Sequence, residues 1–154
     1  MNKGIILIGI ITIISLSNLT DCVEENIVEF ETTIKGAYCG HNESGNYVIK
    51  NESDWENLWD TVYSHKTPKP SLPKIDFTQH MVIAVFMGEK SSGGYSIEIV
   101  KIREKNNIFE VYIEEHTPAP WTVVTEVFTQ PFHIIKMRLI DTDAKFVTTE
   151  KIIF

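Results

Sequence analysis

Alternation of apolar and polar positions begins at Val28, Phe30, Thr32 and Ile34, interleaved with Glu29, Glu31 and Thr33. Side chains of a strand point to opposite faces in turn, so this segment reads as a half-buried strand. Asn42 to Asn46 is rich in turn residues, and Tyr47-Val48-Ile49-Lys50 is a short strand candidate. The period then changes. Trp55, Leu58, Trp59, Val62 and Tyr63 recur at helical spacing and form one broad apolar face. Ser53 with Glu56 three residues later makes a capping box at the start of that helix. A helix of about three turns is not stable alone in water, so its face predicts packing against a sheet. Pro68, Pro70 and Pro73 make residues 64–79 an extended crossover.

The second half is strand-rich. Met81 to Met87 is continuously apolar and predicts a central strand buried on both faces. Tyr95, Ile97 and Ile99 alternate with Ser96 and Glu98. Val100 and Ile102 then shift the phase, which predicts a bulge near Val100. Lys105-Asn106-Asn107 reads as a hairpin turn, with Phe109, Val111 and Ile113 facing one way on the return strand. After Thr117-Pro118-Ala119-Pro120-Trp121 comes a β-rich run from Val123 to Phe128, interrupted by Gln130-Pro131-Phe132. His133 to Ile140, Phe146 to Thr148 and Ile152 to Phe154 are further strand material. The expected fold class is mainly β (α+β): antiparallel sheets forming a sandwich-like or partly open barrel core, with one amphipathic helix.

The N-terminus changes the count of residues available to that core. Met1-Asn2-Lys3 is positively charged, and Gly4 to Ser17 is almost wholly apolar, which is the layout of a signal segment. The apolar run is short for a full membrane span, so residues 1–21 are expected to be a signal segment or membrane anchor. Residues 22–154 are then one domain, secreted or held at the outer face of the cell membrane. The membrane is engaged only through the N-terminal segment or a lipid. Lys3 and Asp21 cancel, so the domain carries the chain's whole formal charge of −7. An acidic surface argues against nucleic acid as a partner.

Candidate chemistry is sparse. Cys22 and Cys39 are the two cysteines. A disulfide between them closes a loop of about 18 residues and contributes about 3 kcal/mol. The competing reading makes Cys22 the lipid-bearing residue of a lipoprotein, with Asp21 a poor fit where a small residue is expected. Asn42 and Asn51 head Asn-x-Ser triplets and read as turn residues. The five histidines have no metal-ligand spacing, and Glu114-Glu115-His116 puts neighbouring side chains on opposite faces. No nucleophile elbow is present. The expectation is a chain without catalytic residues, metal or cofactor.

Ile75-Asp76-Phe77, Val82 to Phe86, Gly88-Glu89-Lys90, Gly93 to Ile99, Glu115 with Thr117-Pro118, and Thr129 to Ile135 occur in an order and spacing that resemble the PrcB-like family. Asp54 to Trp59 fits the segment preceding that domain. One departure is clear: the family's Pro-Gly-Pro-Gly loop has Ala119 and Trp121 in place of its glycines. The resemblance implies an exported, non-catalytic accessory domain that binds a protein, an exported protease or an envelope protein. The partner-binding candidates are Ser92, Gly93, Gly94, Tyr95, Pro118, Pro120, Trp121, Gln130 and Phe132. Both loops leave the open end of the hairpin 95–115, so Gly94, Tyr95, Pro118 and Trp121 are expected to form one patch, joined by Gln130 and Phe132. Two alternatives are an enzyme acting on a cell-surface substrate and a chagasin-like protease inhibitor. For the inhibitor, Ser92-Gly93-Gly94-Tyr95 and Gln130-Pro131-Phe132 would serve as the two contact loops.

Overall fold

The computed structural model describes residues 26–105 and 108–154. The expected signal segment, Cys22 and the Asn106-Asn107 turn lie outside the described residues. Two four-stranded sheets stack face to face without closing into a barrel, and one helix packs on the outside of one of them. In chain order the strands are β1 Asn26–Ile27, β2 Phe30–Gly36, β3 Ser44–Ile49, then helix α1 Glu52–Val62. They continue as β4 His80–Met87, β5 Ser96–Lys105, β6 Ile108–Pro118, β7 Phe132–Arg138 and β8 Asp143–Ile153. One sheet has the order β1-β5-β6-β8 and the other β2-β7-β4-β3.

The unbroken apolar run of β4 follows from its place in the middle of three layers. Met81, Ile83, Val85 and Met87 enter the core between the sheets. Val82, Ala84 and Phe86 enter a second core beneath α1, with Trp55, Leu58, Trp59 and Val62. Strand β7 is split in the same way, with Ile135 and Met137 between the sheets and Phe132 and Ile134 under the helix. Both strands are covered on both faces, so neither shows polar alternation. On β6, Phe109, Val111 and Ile113 face the opposite sheet.

Several expectations are corrected. The helix is capped by Asn51, not Ser53: the Asn51 side chain accepts the Asp54 N–H at 2.9 Å from an extended backbone. Helix α1 therefore starts before Ser53. The run Val123 to Phe128 is loop, with Val123 98% exposed. The two C-terminal strand segments are one strand, β8, and it lies parallel to β6. The intervening β7 belongs to the other sheet, so the chain crosses the sandwich and returns in the direction of β6 without a covering helix. The phase shift near Val100 is present as a register break between Ile99 and Lys101.

Among the described residues no helix covers the outer face of the first sheet, which carries an ion network. Glu110 accepts from Tyr112 Oη at 2.8 Å, from Arg103 Nε at 2.6 Å and from Lys145 Nζ at 3.2 Å. These hydrogen bonds, Tyr112 first, hold its carboxyl down at about 2. Lys151 meets Glu114 at 2.6 Å two pleat repeats further along β6. The pairs bridge β5, β6 and β8, and so staple the parallel strand to its neighbours.

Candidate functional site

Three segments meet at one end of the sandwich: residues 88–95 before β5, residues 118–131 after β6, and the end of β8. Backbone pairing fixes the first two against each other. Lys90 and Thr129 exchange hydrogen bonds at 2.8 and 2.9 Å, and Gly93 N–H donates to Thr125 O at 2.9 Å. Thr129 is buried, and its hydroxyl donates to Ser92 O at 2.8 Å. Ala119 N–H donates to Ile153 O at 2.9 Å, which ties the proline loop to β8. Every one of these bonds uses backbone groups that strand ladders leave over, so the loops have a defined shape despite their irregular path.

Gly94 is the pivot of this end. Its φ is +87°, a left-handed conformation that favours glycine. A Cβ there would stand 2.9 Å from Val124 Cγ1 and 3.1 Å from Pro118 Cβ. Gly94 and Pro118 are therefore in contact, as the hairpin geometry predicts. Gly94→Ala is expected to destabilise the fold by about 1–2 kcal/mol through backbone strain alone. Displacement of Val124 adds to that cost. A urea titration checks it, and an unchanged midpoint would contradict the close approach.

The remaining candidates divide. Trp121 is 73% exposed and stacks on Phe154, with ring centroids 5.8 Å apart and planes 28° apart. Pro120 beside it is also exposed. Tyr95 is half-buried against the core between the sheets, with the Lys90 ammonium 5.7 Å above its ring. Gln130 lies on the flank, where Nε2 donates to Glu89 Oε2 at 3.1 Å and the backbone N–H to Ala37 O at 2.8 Å. Phe132 is not part of the surface. It is 2% exposed, stacks with Phe86 at 6.0 Å and packs on Gly36. The reading of Phe132 as a contact residue is corrected: it is core beneath α1. Pro131 is buried as well, which takes away the second contact loop of the inhibitor reading.

The sequence reading missed the partner of Trp121 and the exposure of further apolar residues in its loop and in β8. Phe154 is 89% exposed, and Val127, Phe128 and Ile152 are also exposed. The sequence offered Val127 and Phe128 as part of a β-rich run and Ile152 and Phe154 as strand material. On the core-facing side of β6 and β8, Glu115 stands in register with Glu150. Burial raises the Glu115 carboxyl above the ordinary range; Lys90 opposes that shift and Glu150 adds to it.

Cys39 is a free, buried thiol. Its Sγ donates to His41 O at 3.6 Å and Gln130 O at 3.5 Å, and burial raises its pKa. The expected bridge from Cys39 is therefore not formed in this structure, and Cys22 lies outside the described residues. Among the described residues no group of three or more histidine, cysteine, aspartate or glutamate side chains is placed to hold a metal ion. Displaced pKa values often mark catalytic groups. Here Glu110 is taken up by its ion network, and His133 is enclosed between the sheets.

The fold and this end of it define a class: a β-sandwich with a helix on one side, presenting a loop surface of aromatic and aliphatic side chains. Residues 81–138 match the family model described as PrcB C-terminal, which is the resemblance expected from the sequence. The match runs from the first buried residues of β4 to the end of β7. It includes both glycine and proline loops and leaves out α1 and β8. No curated protein and no solved structure gives a significant match.

Proposed function

We propose that this domain is a non-catalytic accessory subunit that acts outside the cytoplasm and binds an exported protease or another envelope protein. Trp121 and its neighbours form the contact surface in this reading. The observation that carries it is the exposed Trp121–Phe154 stack, in a loop whose Val123, Val127 and Phe128 are exposed as well. Exposed large apolar side chains stacked on one another mark interaction sites, and tryptophan is enriched at binding hot spots. Family similarity over residues 81–138 supports a protein partner in a protease-associated complex. The apolar leader supports export. The acidic balance of −7 directs the choice of partner away from nucleic acid.

The test joins partner isolation to one substitution. The native complex is recovered from the cell envelope fraction, and the purified partner is titrated with wild type and Trp121→Ala. Binding is expected to weaken by about 2 kcal/mol or more, roughly 30-fold, while the melting temperature stays nearly unchanged. A large melting loss, or an envelope partner whose affinity ignores Trp121, would sink this assignment of the surface.

A further inference from the structure

The outer edge of the helix-backed sheet is β3, and among the described residues no strand pairs beyond it. The ladder's alternation fixes which backbone groups are open there. Met87 N–H donates to Pro131 O at 2.9 Å, and Leu139 N–H donates to Gln79 O at 2.7 Å. Odd-numbered residues of β4 thus bond to β7. Even-numbered ones bond to β3, where Val82, Ala84 and Phe86 stand opposite Ile49, Tyr47 and Gly45. In an antiparallel pair the residues between turn their backbone groups the other way. Asn46 and Val48 therefore direct N–H and C=O outward.

A groove of about 370 Å³ runs beside this edge. One wall is Tyr47, Val48 and Ile49; the other is Asp54, Asn57, Leu58 and Thr61 of α1. Ile49 and Leu58 give it an apolar floor. His41 fixes one end. Its Nδ1–H donates to Glu43 O at 2.9 Å, so Nε2 accepts from Tyr47 Oη at 3.1 Å, and its ring stacks on Phe86 at 4.3 Å. The helix wall carries one carboxylate, Asp54, whose Oδ2 accepts from Asn51 Nδ2 at 2.7 Å, and among the described residues no lysine or arginine lines the groove.

An open strand edge, an apolar trough and the Asp54 carboxylate on its helix wall together match one ligand chemistry. We propose that this groove docks an extended peptide segment of a partner protein, added to β3 as a fifth strand, with an apolar side chain over Ile49 and Leu58 and a lysine or arginine at Asp54. Main-chain bonds to Asn46 and Val48 supply affinity, and the trough and Asp54 supply selectivity. The groove shares no residue with the Trp121 surface, so the two sites stand or fall separately.

Random octapeptides displayed on phage are selected against the immobilised full chain, and the enriched peptide is titrated into variants. Enriched sequences are expected to alternate apolar and polar residues and to carry a basic one. Val48→Pro removes an outward N–H at an edge position where proline is tolerated, and is expected to weaken binding at least tenfold. Asp54→Lys does the same and is rescued by a peptide with glutamate in place of its lysine. Trp121→Ala leaves binding unchanged. Peptides N-methylated on alternate residues test the same bonds on the unaltered protein: one phase binds and the other does not. Failure to enrich basic alternating peptides would overturn the proposal, as would binding indifferent to Val48→Pro and to N-methylation, or binding lost in Trp121→Ala. A dimer in sedimentation that Val48→Pro dissolves would overturn it too, by assigning the edge to a second copy of the chain.

Discussion

Trp55→Ala is expected to cost about 3–5 kcal/mol of folding stability, the range for removing a fully buried tryptophan. Trp55 is 1% exposed in the core between α1 and the sheet, against Trp59 at 5.2 Å. The indole also carries a bond that alanine deletes. Trp55 Nε1 donates to Pro73 O at 3.0 Å, and Trp59 Nε1 donates to Pro70 O at 3.1 Å. Proline offers no N–H, so the crossover 64–79 forms few ladder bonds of its own, and these two indoles hold it against the helix. The loss should therefore appear twice: in a urea titration, and as faster tryptic cleavage after Lys74. Trp55→Phe keeps a ring but loses the donor, and is expected to cost roughly 1–3 kcal/mol. If Trp55→Ala lowered stability by less than about 1 kcal/mol, α1 would not be an integral layer of this core. Trp121 is the control of the same residue type, since its exposed ring predicts the opposite outcome.

The contrast between these tryptophans marks what the chain's pattern makes legible. Periodicity reports a face buried along a regular element. It therefore identified the apolar face of α1, the doubly buried β4, the β5–β6 hairpin and its register break. It reports nothing about orientation between strands distant in sequence, which is why β8 was not expected to lie parallel to β6. It also fails where one strand serves two cores. Phe132 follows a proline and precedes a histidine, so it looked like a loop aromatic, yet β7 sends it under α1 while His133 points the other way. Exposed β-branched and aromatic residues in 123–128 mimic a strand because propensity reflects fit to a half-buried surface, and here that surface is left open. The approach of Gly94 to Pro118 was readable because strand counting along a hairpin places both loops at one end. Trp121's stacking on Phe154 was not, since it depends on β8 closing against β6.

His133 gives the other large effect, and its sign follows from the geometry. The ring is buried between the sheets, where Nδ1 accepts the Ile99 N–H at 2.9 Å. Ile99 is the residue at which the β5–β6 register breaks, so a side chain from the opposite sheet bonds the backbone at the bulge. With Nδ1 as acceptor the proton sits on Nε2 and is donated to Thr32 Oγ1 at 2.9 Å. The folded protein thus requires neutral imidazole, and burial holds its pKa down at about 4; Lys35 adds to that shift and Glu98, paired with Lys35 at 2.7 Å, opposes it. The unfolded chain takes up a proton at the ordinary value of about 6.5. Between those two values the unfolded state binds more protons, so stability falls as pH falls, by up to about 1.4 kcal/mol per pH unit, and levels off below about 4. His133→Ala removes the acceptor and leaves a cavity, and is expected to cost about 3 kcal/mol at pH 7. His133→Asn keeps an acceptor near Nδ1 and should retain part of that stability while losing the histidine's share of the slope. Urea midpoints for wild type and His133→Asn at half-unit steps from pH 7 to pH 4 measure the difference directly, because the carboxylates common to both cancel. Parallel curves for the two proteins would show that His133 is not the group whose neutrality holds the sheets together.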